Sequence, residues 1–326
     1  MAAQGSPLKR RLLLPLAFAL PLSFSARAQS VWPSQPIRLV VPFQPGTAPD
    51  LLARRLSDNL GTRFGQPMPI ENRSGAGGTI GTDAIAKARP DGYTLGISSA
   101  AAHAVARGVY PNLSYDPIRD FSHIALLAEL PLGLGVAADG PFRDLAGFIA
   151  AARAQPGRLR IGSPGNGTTA HVAIELLQRA TGANFIHVPY RSGPQAVPEI
   201  IAGRIEASLS ILSDVAGNER VRVLAVAASQ RLERWPATAT FREQGIDLLA
   251  TLWFGLCAPA GLPPMIADQL HAAAEIAVAR PEFAALLVPL GSVPHRAMAR
   301  GEVTGFVAAE GQRWEGATRA NGIRAD

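Results

Sequence analysis

Ile161-Gly-Ser-Pro-Gly-Asn-Gly-Thr-Thr-Ala-His171 reads as a strand running through a glycine-rich turn into a helix that begins near Thr168. The first amides of a helix have no intrahelical partner, and together with the helix dipole they favour an anion. Ser163, Thr168 and Thr169 add hydroxyl groups, so the segment can hold a carboxylate without a cationic side chain. An ordinary capped strand-to-helix turn would read the same way. The segment is no phosphate-cradling loop, because the lysine of GxxxxGK[ST] is absent. Gly165 to Ala170 fits the loose G-x-G-x-x-A dinucleotide pattern, but no acidic residue follows about 20 positions later to hold a ribose.

The same strand-turn-helix grammar recurs on either side. Ile37 to Phe43 is an apolar strand entering a turn at Pro45-Gly46, and Leu51, Leu52, Leu56 and Leu60 have helical spacing after it. Asp50 falls in the first turn of that helix and suits a cap better than an acid catalyst. The amides around Gly46 and Thr47 are the more plausible donors to a ligand. Glu71-Asn-Arg-Ser-Gly-Ala-Gly-Gly-Thr-Ile-Gly81 is a third glycine cluster, in which Arg73 is expected to pair with Glu71 or another surface carboxylate. Tyr93 to Ser99 is a strand that ends in Ser98 and Ser99, with Ala100 following. This β-α-β-α-β rhythm predicts a parallel sheet with helices on its faces.

The rhythm then restarts. Two apolar runs, 124–130 and 132–137, flank Pro131, and a second α/β unit follows to about residue 250. A long apolar strand over 248–258 and three helical stretches complete the chain. No flexible linker separates the units, so strands near 125–136 and 249–257 are expected to join two lobes as hinges. A single large sheet is the other architecture this pattern allows.

Lys9, Arg10 and Arg11 precede an apolar run from Leu12 to Phe24, and Ala26-Arg27-Ala28 follows. Charge, short apolar run and small residues in that order predict a signal peptide over 1–28, cleaved before Gln29, and hence a periplasmic location. The run is shorter than the roughly 20 residues a membrane span needs. The charge of +6, from 31 basic and 25 acidic residues, includes four basic and no acidic residues in 1–28, which leaves +2 afterwards. That balance gives no nucleic-acid footprint.

Catalytic and metal-binding patterns are weak. Cys257 is the only cysteine, and the six histidines show no metal-ligand spacing, so no metal or cofactor is expected. Gly96-Ile-Ser-Ser-Ala100 is close to a nucleophile elbow, which makes a secreted serine hydrolase using Ser98 or Ser99 the alternative function. The last glycine, an oxyanion segment and a well-placed histidine are all missing; His295 can be nominated, but nothing around it recommends it. His171 reads as a packed histidine. Tyr190 and Asp214 stand at strand ends, where Tyr190 can present a hydroxyl and Asp214 can recognise an amino or hydroxyl group or cap a turn. In open α/β sheets ligands lie beyond the carboxyl ends of strands, which is where the glycine, serine and threonine clusters fall.

These residues as a set resemble the Bug (TctC-like) family of periplasmic solute receptors. The resemblance rests on Trp32-Pro33 and Pro36-Ile37, Pro42 to Gly46 with Asp50, and Glu71 to Gly78. It continues through Pro90 to Leu95, Arg119-Asp-Phe121, Gly162 to His171, His187 to Arg191, and Trp253-Phe-Gly with Ala258 to Gly261. It implies a non-enzymatic α/β protein of the periplasmic-binding-protein-like type II fold, two lobes joined by two hinge strands. Lobe 1 would comprise 29–128 plus 254–326, and lobe 2 would comprise 129–253. It further implies that Phe43, Gly46, Ser98, Ser99 and Ala100 line the first lobe. Ser163, Gly165, Asn166, Thr168 and Thr169 would grip a carboxylate from the second, and Tyr190 and Asp214 would border the variable end. Thr47 stands where the family usually has glycine, and Ser192 interrupts its Lys/Arg-Gly step; Thr47 is expected to narrow the pocket or add a donor. The implied ligand is a small organic carboxylate (a dicarboxylate, amino acid, aromatic acid or similar). The implied partners are membrane transporter subunits or a sensor kinase, with the receptor itself a monomer.

Overall fold

The computed structural model describes residues 1–3, 5, 32–293 and 296–325. The expected apolar export segment, the cleavage point before Gln29, and His295 lie outside the described residues. Trp32–Asp326 forms one compact unit. Its strands are β1 (Arg38–Val41), β2 (Ile70–Asn72), β3 (Thr94–Ser99), β4 (Phe121–Ala137), β5 (Leu159–Ser163), β6 (Phe185–Pro189), β7 (Ala207–Ile211), β8 (Val221–Val226) and β9 (Thr251–Pro259). Its helices are α1 (Ala48–Phe64), α2 (Thr79–Ala86), α3 (Ala106–Val109), α4 (Leu145–Ala154), α5 (Thr169–Thr181), α6 (Ala196–Ile201), α7 (Leu212–Ala216), α8 (Pro264–Val278), α9 (Pro281–Leu290) and α10 (Arg300–Ala320). Among the described residues no helix is long and apolar enough to cross a membrane.

The strands follow the order β2-β1-β3-β9-β4-β7-β5-β6, with β8 on β4. Each half repeats one plan. β1 pairs in parallel with β2 and β3, and β5 pairs in parallel with β6 and β7. An antiparallel strand closes each set, β9 on β3 and β4 on β7. The sheet is therefore mixed, where the strand-helix rhythm alone predicted a parallel one. β4 and β9 come from distant parts of the sequence, so no local pattern reveals their direction.

β4 is the joint of the fold. From Phe121 to Pro131 it pairs with β9, and from Leu132 onward with β7 and β8. Pro131, which divides two apolar runs in the sequence, lies at the change of partner. A proline lacks the N–H that a ladder uses, and here it falls where one ladder stops and another starts. Two large core clusters pack against the sheet. One gathers Leu39, Leu52, Leu56, Ile97 and Leu256, and the other Phe148, Ile161, Ile174, Leu177 and Leu209. Val307 and Trp314 of α10 join the second of these, alongside Ala104 and Val105. Ala101–Val105 form a π-helical turn leading into α3, a piece that the apolar sequence after β3 did not announce.

Helix ends follow local chemistry. α1 carries Pro49 in its first turn and ends at Gly65 with φ 66°. α5 is capped by Thr168 and ends at Gly182 with φ 66°. Both patterns match the usual preferences for proline or threonine at the start and left-handed glycine at the end.

Candidate functional site

A cavity of about 590 Å³ lies where the loops after β1, β2, β5, β6 and β7 converge. The loop after β1 contributes Phe43, Gln44 and Thr47. It is held by Asp50, which is fully buried and accepts hydrogen bonds from Gly46 N (2.9 Å), Asn72 Nδ2 (2.9 Å), and Arg54 Nε (2.9 Å) and Nη2 (3.2 Å). Burial pushes this carboxyl up, but the bonds from Arg54, Gly46 and Asn72 win and hold it below the ordinary value. Asp50 is thus a brace for the loop, and its role as a structural acid follows from its position in the first turn. Thr47 donates its hydroxyl to the Gln44 carbonyl at 2.7 Å, which tightens the turn while the residue still lines the cavity. Arg73 pairs with Glu71.

The loop after β2 supplies Ser74 to Gly78. Gln44 Nε2 donates to Ser74 Oγ at 2.8 Å, tying the first two loops together. Gly77 has φ 63°, and a Cβ there would lie 2.9 Å from the Gly167 carbonyl oxygen. The first half therefore touches the turn between β5 and α5 at backbone distance.

That turn is the most polar wall. Thr168 Oγ1 accepts from His171 N at 3.2 Å and donates to the Gly165 carbonyl at 2.8 Å. Gly165 N donates to Ser163 Oγ and Gly167 N to His171 Nδ1. The hydroxyl of Thr169 is different. It is buried, its residue lines the cavity, and it has no hydrogen-bond partner among the described residues. It sits at the first position of α5, where backbone amides also lack helical partners. An unpartnered buried polar group costs about 1–3 kcal/mol, a cost that an acceptor reaching this hydroxyl would remove. Behind it, His171 and His187 stack with ring centroids 4.2 Å apart, and His187 Nε2 is hydrogen bonded to Ser163 Oγ at 2.6 Å. Burial pushes His187 down to about 4, aided by its neighbour His171.

The remaining walls are apolar or aromatic. Phe43 meets Phe254 edge to face at 5.8 Å, and Leu132, Ile211 and Leu252 add aliphatic surface. Tyr190 and Asp214 also line the cavity. Ser210 Oγ donates to Asp214 Oδ2 at 2.5 Å, yet burial raises the Asp214 carboxyl to about 6.

Of the residues nominated from sequence, Phe43, Thr47, Gly165, Asn166, Thr168, Thr169, Tyr190 and Asp214 surround the cavity. Gly46, Ser98, Ser99, Ala100 and Ser163 are not among its lining residues. Gly46 and Ser163 stand one layer back, bonded to Asp50 and to Gly165. Ser98, Ser99 and Ala100 are buried in the sheet and its following turn. Ser99 Oγ accepts from Ala102 N, and the His103 ring nitrogen takes the Ser99 amide rather than a serine hydroxyl. No exposed nucleophile exists there. The sequence did not nominate Gln44, Ser74, Gly77, Ala101 or Tyr110. The 71–81 glycine cluster pointed to two of these, whereas Tyr110 had no local signature.

The sequence model described as tripartite tricarboxylate transporter family receptor matches residues 52–323. Protein BugT of Bordetella pertussis is 34% identical over 298 residues, covering 90% of this chain and 91% of BugT. An R. palustris protein solved with adipate is 31% identical, with a TM-score of 0.84, covering 90% of this chain and 99% of that one. MatC from Rhodopseudomonas palustris, solved with malate, is 30% identical, with a TM-score of 0.82, covering 88% of this chain and 100% of that one.

Proposed function

The chain belongs to the tripartite tricarboxylate transporter receptor family, a family of periplasmic solute receptors and not of enzymes, and from that premise we propose that its cavity binds a small organic carboxylate. The buried, unpartnered Thr169 hydroxyl at the start of α5 carries this reading. A carboxylate oxygen there would accept from that hydroxyl and from the free amides of the helix start, which replaces the water both groups lose. The relatives solved with adipate and malate support an acid of that size.

In this reading Phe43, Thr47, Gly165, Asn166, Thr168, Thr169, Tyr190 and Asp214 contact the ligand, while Gly46 and Ser163 shape the loops that do. Lobe 1 comprises 29–128 plus 254–326 and lobe 2 comprises 129–253, with β4 and β9 as the hinge. The partner change at Pro131 supports a bend at that level. Ligand contacts made from both lobes favour the closed form, which a membrane transporter or sensor kinase would read. Export by a signal peptide cleaved before Gln29 would place the receptor in the periplasm.

Thermal unfolding of protein stripped of bound ligand tests the reading. A carboxylate at about 100 times its Kd should add about 2.7 kcal/mol of stability, a rise in Tm of about 4 °C for a chain of this size. If mono-, di- and tricarboxylates, amino acids and aromatic acids all leave Tm unchanged, the reading fails.

A further inference from the structure

The cavity has donors on one wall and a single carboxylate on another. Asp214 lines it, and among the described residues its side chain is hydrogen bonded only to the Ser210 hydroxyl. No arginine or lysine among the described residues forms an ion pair with it. Among the described residues Arg191 is the only basic one lining the cavity, and it is exposed. The position of the carboxylate is fixed by the backbone above it. A Cβ on Gly193 would lie 2.0 Å from Asp214 Oδ2 and 2.0 Å from Ser210 Oγ. Only glycine lets the turn before α6 close over this pair.

A carboxylate removed from water without a cation is costly. The usual remedies are a basic neighbour or a proton, and no basic neighbour is built in. A solute with a positive group would supply the missing charge when it binds. Resting on the carboxylate reading above, we propose that Asp214 receives a cationic nitrogen of the same ligand, so that the solute is an aminated carboxylate rather than a plain dicarboxylate. Its acid end would meet Thr169 and the start of α5, and its ammonium group would meet Asp214. A dicarboxylate in that orientation would bring two like charges together, which disfavours ionisation of one of them.

Matched ligands of equal chain length test this. Isothermal titration of the stripped chain would compare succinate with β-alanine, glutarate with γ-aminobutyrate, and adipate with δ-aminovalerate. The amino acid of each pair should bind wild type about tenfold or more tightly than its diacid. Asp214→Asn should abolish that preference by weakening the amino acids while leaving or improving the diacids. Equal or tighter binding of the diacids to wild type overturns the assignment of Asp214 alone, and it does so whether or not the variant folds. Failure of all six, and of every other carboxylate tried, overturns the carboxylate reading and this inference with it.

Discussion

Tyr110 Oη donates a hydrogen bond to the Asn166 carbonyl oxygen at 3.3 Å, joining the residue after α3 to the turn that begins α5. The same ring crowds the next residue, since a Cβ on Gly167 would lie 2.1 Å from the Tyr110 hydroxyl. The two halves therefore meet at one side of the cavity through a tyrosine and a left-handed glycine with φ 71°. Gly167→Ala should hold them apart, combining that collision with a backbone cost of about 1–3 kcal/mol. Ligand affinity should fall about tenfold or more, while Tyr110→Phe should cost only about 0.5–1.5 kcal/mol of binding. Titration calorimetry of both variants gives the comparison, and equal affinities would contradict the account of closure.

Thr169→Val removes the unpartnered hydroxyl and keeps the shape of the side chain. The ligand-free protein should be as stable as wild type or more so, because a buried unsatisfied group worth about 1–3 kcal/mol is gone. Carboxylate affinity should nevertheless fall about tenfold. Unfolding in urea and ligand titration on the same sample separate the two effects. A variant that loses stability and keeps affinity would assign Thr169 to packing.

Asp50→Ala removes the acceptor shared by Gly46, Asn72 and Arg54. The protein should lose about 2–3 kcal/mol, since buried donors are left without partners. The loop carrying Phe43 and Thr47 should loosen, and ligand affinity should drop with it. Equilibrium unfolding and titration of the variant measure both losses. Asp50→Asn keeps one acceptor oxygen and should fall between the two proteins.

The Asp214 carboxyl titrates near 6 in the folded chain against an ordinary value of 3.8. A raised carboxyl keeps its proton longer when folded, so its penalty is absent below 3.8, grows as pH rises, and is complete above about 6. A displacement from 3.8 to about 6 corresponds to at most about 3 kcal/mol. Ligand-free Asp214→Asn should thus be more stable than wild type at pH 8 and should match it by pH 4. Urea unfolding across that range checks the sign; a variant less stable at pH 8 would reverse it.

Four histidines oppose acid. Burial holds His123 and His187 down at about 4, His103 well below 6.5, and His171 below its ordinary value. The unfolded chain takes up these protons first, so the stability they represent is complete above about 6.5 and is lost as pH falls toward 4. Near pH 5, unfolding should absorb about two protons from His123 and His187, add to that uptake through His103 and His171, and release about one from Asp214. With about 1.4 kcal/mol per proton per pH unit, stability should fall by at least about 1 kcal/mol per pH unit. Urea midpoints at pH 7, 6 and 5 test this, and a flat profile would count against neutral, buried rings.

The local grammar of the chain was legible residue by residue. The strand-turn-helix units at Val41–Asp50 and Ile161–His171 can be read because proline, glycine and threonine act on the backbone within a few positions. The same holds for the glycine-rich turn before α5, for Asp50 as a brace, and for Tyr190 and Asp214 at strand ends, since each depends on a neighbouring element boundary. The tertiary structure decided what depends on residues far apart in sequence. β4 runs unbroken through Pro131 only because β9, β7 and β8 arrive from elsewhere to pair with its two halves. Ser98 and Ser99 end a strand, where the sequence placed ligand contacts, yet β9 and the turn after β3 bury them, and Ser99 Oγ accepts from Ala102 N. Tyr110 reaches the Asn166 carbonyl, 56 residues away along the chain. Short-range preferences set the turns that offer donors to an anion. Long-range packing chose which of those donors face one cavity, because burial and pairing are properties of the assembled sheet and not of any single stretch.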